Sequence, residues 1–139
     1  MKNKQFIILA VVCVVTLLPF MGLTDFHTTG EPREAIVAYS MIETGNWTLP
    51  VNNGGDIAYK PPLFHWCIAA LSSIAGKVTE YTSRMPSALA LIAMVLGGFL
   101  FYAKRRGASV ALLMGLITLS NFEVHRAGMN CRVDMMLTA

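Results

Sequence analysis

Residues 30–66 read GEPREAIVAYSMIETGNWTLPVNNGGDIAYKPPLFHW and form a polar insert between two strongly apolar stretches. Charged residues open the insert, with Glu31, Arg33 and Glu34 in its first turn, and a Lys-Pro-Pro run lies near its end. The apolar segments on either side of the insert indicate where it lies relative to a membrane.

The composition is that of a membrane protein. Of 139 residues, 55% are apolar and 14% are charged, whereas an ordinary soluble domain carries roughly 25% charged residues. The net charge of +3 sits in short clusters beside apolar runs, at Lys2 and Lys4 and again at 104–106, which favours membrane topology over nucleic-acid binding. The three cysteines lack C-x-x-C spacing, so we expect neither a disulfide framework nor a zinc site.

Hydropathy predicts membrane spans at about 6–23, 85–103 and 108–124, because roughly 20 apolar residues cross about 30 Å of hydrocarbon. The run at 61–76 is shorter and would reach only about 24 Å as a helix. The positive-inside rule places both basic clusters in the cytoplasm, which requires an even number of crossings between them. We therefore expect 61–76 not to span. A cleaved signal peptide is the alternative for the first run, but the run is long for one and lacks a good cleavage site.

The same counting defines an outer loop, 24–84, with interfacial helices at about 31–44 and 61–76. Thr28, Thr29 or Gly30 is a candidate cap for the first helix, an acid and a proline follow in its first turn, and Gly45 is a plausible stop. Asn-Gly-Gly at 53–55 predicts a tight turn between two short extended segments.

The predicted topology brings acids and bases to one side of the membrane. Acids beside bases at a membrane face fit a site for a lipid-linked phosphate substrate. Glu31 and Asp134 are candidate catalytic carboxylates there, because the hydroxyl or phosphate that attacks such a substrate must lose a proton to a general base. Lys60, Arg33 and Arg132 are candidate ligands of a substrate phosphate. Simpler roles remain open for these side chains: a first-turn helix acid, an interfacial acid, an ion pair within a helix, or a lysine that reaches the headgroups.

Several spaced motifs resemble a known family. They are the 30–66 insert, EYTSRMPSALA at 80–90, the basic turn after it and NCRVDMMLTA at 130–139. Together they resemble the membrane-embedded glycosyltransferases of the C-type fold, which include the dolichyl-phosphate-mannose protein mannosyltransferases and the aminoarabinose transferases that modify lipid A. The fold class implied is an all-α integral membrane protein, of which this chain would be the N-terminal part.

The resemblance implies an activity and a location. Such enzymes move a sugar, with inversion, from a polyprenyl-phosphate-linked donor to a lipid or protein acceptor. We accordingly expect a multi-pass protein of the bacterial inner (plasma) membrane with its active site on the periplasmic face, and no nucleic-acid partner. The alternative is a non-enzymatic transporter or assembly subunit that binds lipid headgroups.

Carried over by position, Glu31 and Arg33 match the acid and arginine that open the family's outer loop, Lys60 its loop-end lysine and Asp134 its second acidic site. Gly30 stands where the family has an aspartate, its favoured catalytic base. We expect Glu31 to take that role; the alternatives are that Asp25 folds back to do so or that this branch of the family is altered in activity.

The resemblance also bears on metal binding and on length. Tyr59 replaces an acid that is implicated in metal binding in some relatives, so we assign no metal ligands, although a divalent metal stays possible. The sequence stops as a new helix-like run, DMMLTA, begins. We expect the chain to be part of a longer protein.

Overall fold

The computed structural model describes residues 2–52, 55–58 and 60–139 and is helical apart from one short hairpin. This confirms the predicted all-α fold class. The elements are α1 (Lys2–Leu17, continued by a 3-10 turn at Leu18–Phe20), α2 (Gly30–Thr44), β1 (Val51–Asn52), β2 (Asp56–Ile57), α3 (Leu63–Ala75), α4 (Glu80–Arg106), α5 (Ala108–Ser120), α6 (Phe122–Met129) and α7 (Val133–Thr138).

Helices α1, α4 and α5 form a three-helix bundle. The buried residues of α4 recur every three or four positions, at Ala88, Leu91, Val95 and Phe99, which is the spacing of one helix face. They share a core with residues of α1 and α5. The ring of Phe99 lies 5.7 Å from that of Phe6 near the start of α1, so α1 and α4 run antiparallel.

Two described helical segments, Asn3–Phe20 and Glu80–Arg106, are long and apolar enough to cross a membrane. Together with the apolar surface of the bundle, they place the protein in a membrane. The continuous helix predicted over 108–124 is instead two helices, α5 and α6, whose axes differ by 68°. Asn121 causes the break, because its backbone is extended and its side chain accepts hydrogen bonds from the amides of Glu123 and Val124.

A second layer, which we call the outer layer, covers one end of the bundle. It consists of α2, α3 and α7, whose buried residues share a small apolar core that includes Met41, Phe64, Ile68 and Val133. With 13 residues, α3 is about 20 Å long, shorter than the hydrocarbon core. Helix α2 ends at Gly45 as predicted, in the left-handed conformation with φ 69°.

The connection from α2 to α3 contains the predicted pair of extended segments. Strands β1 and β2 are antiparallel, with Val51 opposite Ile57 and Asn52 opposite Asp56. Asn53 and Gly54 of the predicted turn lie outside the described residues. The side chain of Trp66 in α3 donates a hydrogen bond to the carbonyl of Trp47 at 2.8 Å, which ties this connection to the layer.

The basic cluster Lys104–Arg106 lies at the far end of α4 from this layer. Gln5 of α1 donates to Ser109 of α5 at 3.0 Å at the same far end. Since α4 has 27 residues, it separates the two ends by about 40 Å. The polar insert and the basic cluster thus occupy opposite ends of the bundle.

A candidate active site in the outer layer

A cavity of about 140 Å³ lies between α2, the hairpin and the start of α3. Its charged or titratable lining residues are Arg33, Glu34, Asp56, Lys60 and His65, and the rest of its wall is formed by Val37, Asn52, Ile57 and Ala58. The cavity therefore contains two of the three residues predicted to bind phosphate, Arg33 and Lys60.

Glu34 occupies the centre of the charged cluster. One oxygen of its carboxylate accepts a hydrogen bond from Lys60 Nζ, and the other lies 2.6 Å from His65 Nε2. The side chains of Glu34 and His65 are almost completely buried, whereas that of Lys60 is 36% exposed. Lys60 is thus the member of the cluster that a ligand in solution or in the headgroup region can reach.

The contacts of Glu34 keep it ionised. Burial alone would raise the pKa of its carboxyl, but the hydrogen bonds from His65 and Lys60, with the positive charge of Lys60, outweigh burial and lower that pKa. Glu34 is accordingly a fixed negative charge beside the lysine. Arg33, half-buried on the neighbouring position of α2, adds a second cation to the cavity wall.

Glu31, the predicted catalytic base, does not line this cavity. Its side chain is fully buried, and one oxygen accepts hydrogen bonds from Arg84 Nε at 3.0 Å and from the Cys131 amide at 2.9 Å. Its other oxygen accepts from the His27 amide at 2.8 Å. Glu31 therefore joins the start of α2 to α4 and to the segment between α6 and α7.

Arg84 completes this buried network. Besides Glu31, its guanidinium donates to the carbonyls of Met21, Thr24 and Asp25 at 2.7–2.8 Å. It also lies 5.4 Å from the centre of the Phe26 ring. The segment that follows α1 is thereby fastened to α4. The Asp25 side chain is exposed.

These contacts suit a structural carboxylate better than a general base. Burial alone would raise the pKa of Glu31, but the hydrogen bonds from Arg84, Cys131 and His27 outweigh it and lower the pKa. A general base works best with a pKa near the operating pH and within reach of the proton it removes. Glu31 has a lowered pKa and no exposed surface.

Asp134 and Arg132 lie on the outer layer but outside the cavity wall. They form an exposed pair at 3.4 Å, with side chains 67% and 48% exposed. The Arg132 carbonyl accepts a hydrogen bond from Ser87 of α4 at 3.1 Å, and the adjacent Cys131 amide binds Glu31. The segment is therefore fixed at the same end of the bundle as α2.

Sequence reasoning missed three of the residues that organise this region: Glu34, His65 and Arg84. None of the three carried a local signal in the sequence, because their contacts join distant positions: Arg84 and Glu31 are 53 residues apart, and His65 and Glu34 are 31 residues apart. Within residues 2–52, 55–58 and 60–139, no group of three or more His, Cys, Asp or Glu side chains could hold a metal ion. Tyr59, on which the prediction about metal partly depended, lies outside the described residues.

Comparison with known proteins gives two matches, and no protein-family model matches the chain. The chain is 32% identical over 123 residues to the undecaprenyl phosphate-alpha-4-amino-4-deoxy-L-arabinose arabinosyl transferase of Shewanella sediminis (strain HAW-EB3). The alignment covers 87% of this chain and 22% of the Shewanella protein. The fold of this chain is similar to that of ArnT from Cupriavidus metallidurans, crystallised bound to undecaprenyl phosphate, with a TM-score of 0.88 and 20% identity; the superposition covers 99% of this chain and 25% of the ArnT chain. The chain thus spans about a quarter of the length of each protein it matches.

Proposed function

We propose that this chain, a relative of the aminoarabinose transferases among the membrane-embedded C-type glycosyltransferases, forms part of a site that transfers a sugar from a polyprenyl-phosphate donor. The relative from Shewanella is named for an undecaprenyl-phosphate-linked sugar, and the similar structure was solved with undecaprenyl phosphate bound. The acceptor we propose is a lipid such as lipid A, with inversion at the sugar.

The observation that carries the proposal is the cavity in the outer layer. Its wall holds a partly exposed lysine and an arginine. Both lie at the end of the bundle that the outer layer covers, where a lipid phosphate would lie at the membrane surface. Cations at this depth suit the phosphate of a lipid whose chain stays in the hydrocarbon. Lys60 would contact the phosphate directly, with Arg33 beside it.

We assign the remaining predicted residues by their exposure. Asp134 and Arg132 stay as proposed contributors, a carboxylate and a cation that face out from the same layer. Glu31 holds the layer together, because its oxygens are occupied and buried. The first catalytic carboxylate to test is therefore Asp134.

The orientation we propose puts this layer on the periplasmic side of the bacterial inner membrane. The cluster Lys104–Arg106 lies at the opposite end of α4, and clusters of this kind stay in the cytoplasm. The spans proposed are the three predicted runs, of which the third would be the bent pair α5 and α6.

The test is Lys60→Ala in the protein as its gene encodes it, reconstituted in nanodiscs with undecaprenyl-phosphate-linked aminoarabinose and lipid A. We expect the KM for the donor to rise by about tenfold or more, since a charge-assisted phosphate contact is worth about 1.5–3 kcal/mol. Lys77→Ala is the matched control, because Lys77 is an exposed lysine between α3 and α4, and it should leave the KM unchanged.

Two outcomes would contradict the proposal. Equal donor kinetics in the Lys60 and Lys77 variants would remove Lys60 from the phosphate site. Binding of undecaprenyl phosphate by the unsubstituted protein, without transfer from any polyprenyl-phosphate sugar, would favour the non-enzymatic alternative.

A further inference from the structure

The ion pair between Lys60 and Glu34 creates a conflict with phosphate binding. In the structure the ammonium of Lys60 is bound to the Glu34 carboxylate, so a lipid phosphate that approaches Lys60 must compete with an anion already present. We propose that Glu34 is a built-in competitor for Lys60 that weakens the site's hold on the lipid phosphate released by transfer. This inference rests on the proposed function.

The charge of the lipid changes during transfer. The bond between the sugar's anomeric carbon and a phosphate oxygen breaks, and its electron pair stays with the phosphate. The acceptor oxygen gives up its proton to a general base, for which Asp134 is the proposed candidate, and forms the new bond to the anomeric carbon. A phosphodiester with one negative charge thereby becomes a phosphomonoester, which carries about −1.5 to −2 at pH 7. A site made only of cations would hold this product more tightly than the donor, and product release would limit turnover.

Glu34 is placed to oppose that tight binding. It is buried on α2, and its second oxygen is held by His65 of α3 at 2.6 Å, so the carboxylate stays in position when Lys60 turns away. Lys60 is the mobile partner, a long side chain that is 36% exposed. The lysine can thus exchange between a bound phosphate and Glu34. Glu34 repels the product, with nearly two negative charges, more strongly than it repels the singly charged donor.

The experiment measures binding, so it does not depend on turnover. The probes are undecaprenyl phosphate and its methyl phosphodiester, titrated against the nanodisc-reconstituted protein as its gene encodes it. The variant is Glu34→Gln, which keeps the shape and an acceptor oxygen but removes the charge. We expect about 3- to 10-fold tighter binding of the monoester, the order expected for one charge near a partly screened lysine, and a smaller gain for the diester.

The matched control is Glu43→Gln, which removes a carboxylate from the exposed end of the same helix, where it accepts from Tyr39. It should change neither affinity. If Glu34→Gln fails to fold, Glu34→Asp carries the test, because the shorter side chain keeps the charge but moves it away from Lys60, and part of the gain should remain.

The outcomes separate this inference from the function beneath it. Unchanged or weaker monoester binding in a folded Glu34 variant, or an equal gain for both probes, overturns the competitor role. If Lys60→Ala binds the monoester as well as the unsubstituted protein does, the phosphate site itself is misassigned. Selective tightening of the monoester that Lys60→Ala abolishes supports both.

Discussion

Arg84→Met tests whether the buried network around Glu31 is structural or catalytic. Arg84 donates to the Glu31 carboxylate and to three backbone carbonyls of the segment after α1. Methionine fills similar space but donates nothing. The change therefore leaves a fully buried carboxylate without its cation and several carbonyls without a donor.

The expected cost follows from that inventory. Removing one partner of a buried ion pair costs about 3–5 kcal/mol, because the remaining charge stays buried and unpaired. Glu31→Gln should cost about 1.5–3 kcal/mol, since it keeps an acceptor but loses hydrogen bonds to a charged group. The double variant should lose less than the sum of the two, as expected for residues in contact.

The assay measures the free energy of unfolding in mixed micelles, with tryptophan fluorescence as the signal. Transfer activity is measured in parallel on the fraction that remains folded. Arg126→Met is the matched control, because it removes an arginine from an exposed pair with Glu123 and should cost less than about 1 kcal/mol. The structural interpretation is refuted if Glu31→Gln unfolds like the parent while turnover falls by about 10²–10⁴-fold, the range of general-base assistance.

The ion pair between Glu31 and Arg84 predicts that the protein loses stability in acid. The pKa of Glu31 is lowered in the folded protein from its ordinary value of 4.5, so its contribution to stability is fully present above pH 4.5 and is lost as the pH falls through the lowered folded value. Unfolding measured from pH 7 to pH 3 should show a loss only in the acid part of that range. Arg84→Met should shrink this loss, because it removes the cation that favours the ionised form. A fall in stability that begins near pH 6 would require a different titrating group.

Two further predictions concern packing and topology. Gly115→Ala should destabilise the bundle by about 1–3 kcal/mol, because a Cβ there would lie 2.7 Å from a methyl carbon of Leu9. Gly97→Ala is the control and should not destabilise it, because a Cβ at Gly97 meets nothing within 4 Å. Equal melting temperatures for the two variants would argue against close contact of α1 with α5. Cysteines placed at Asp56 and Arg106 should react with a membrane-impermeant maleimide in whole spheroplasts only at position 56, and labelling at 106 alone would invert the proposed orientation.

The fold was largely predictable because long apolar runs and helix boundaries depend on local sequence. The start and end of α2 follow from the charged first turn and from Gly45, whose left-handed backbone suits glycine. The break between α5 and α6 was missed because an apolar count does not detect a change in backbone direction. Asn121 offered the signal, since asparagine is among the preferred residues at a helix N-cap.

The site was only partly predictable, and the two glutamates of α2 show the reason. Glu31 and Glu34 are three positions apart, so a helix of 3.6 residues per turn places them on adjoining parts of one face. Local pattern therefore cannot say which of them meets the core and which meets the cavity. That choice is made by Arg84 of α4, which binds Glu31, and by His65 of α3, which binds Glu34. Both partners arrive through tertiary packing, so the carboxylate beside Lys60 can be identified only once α3 and α4 have been placed against α2.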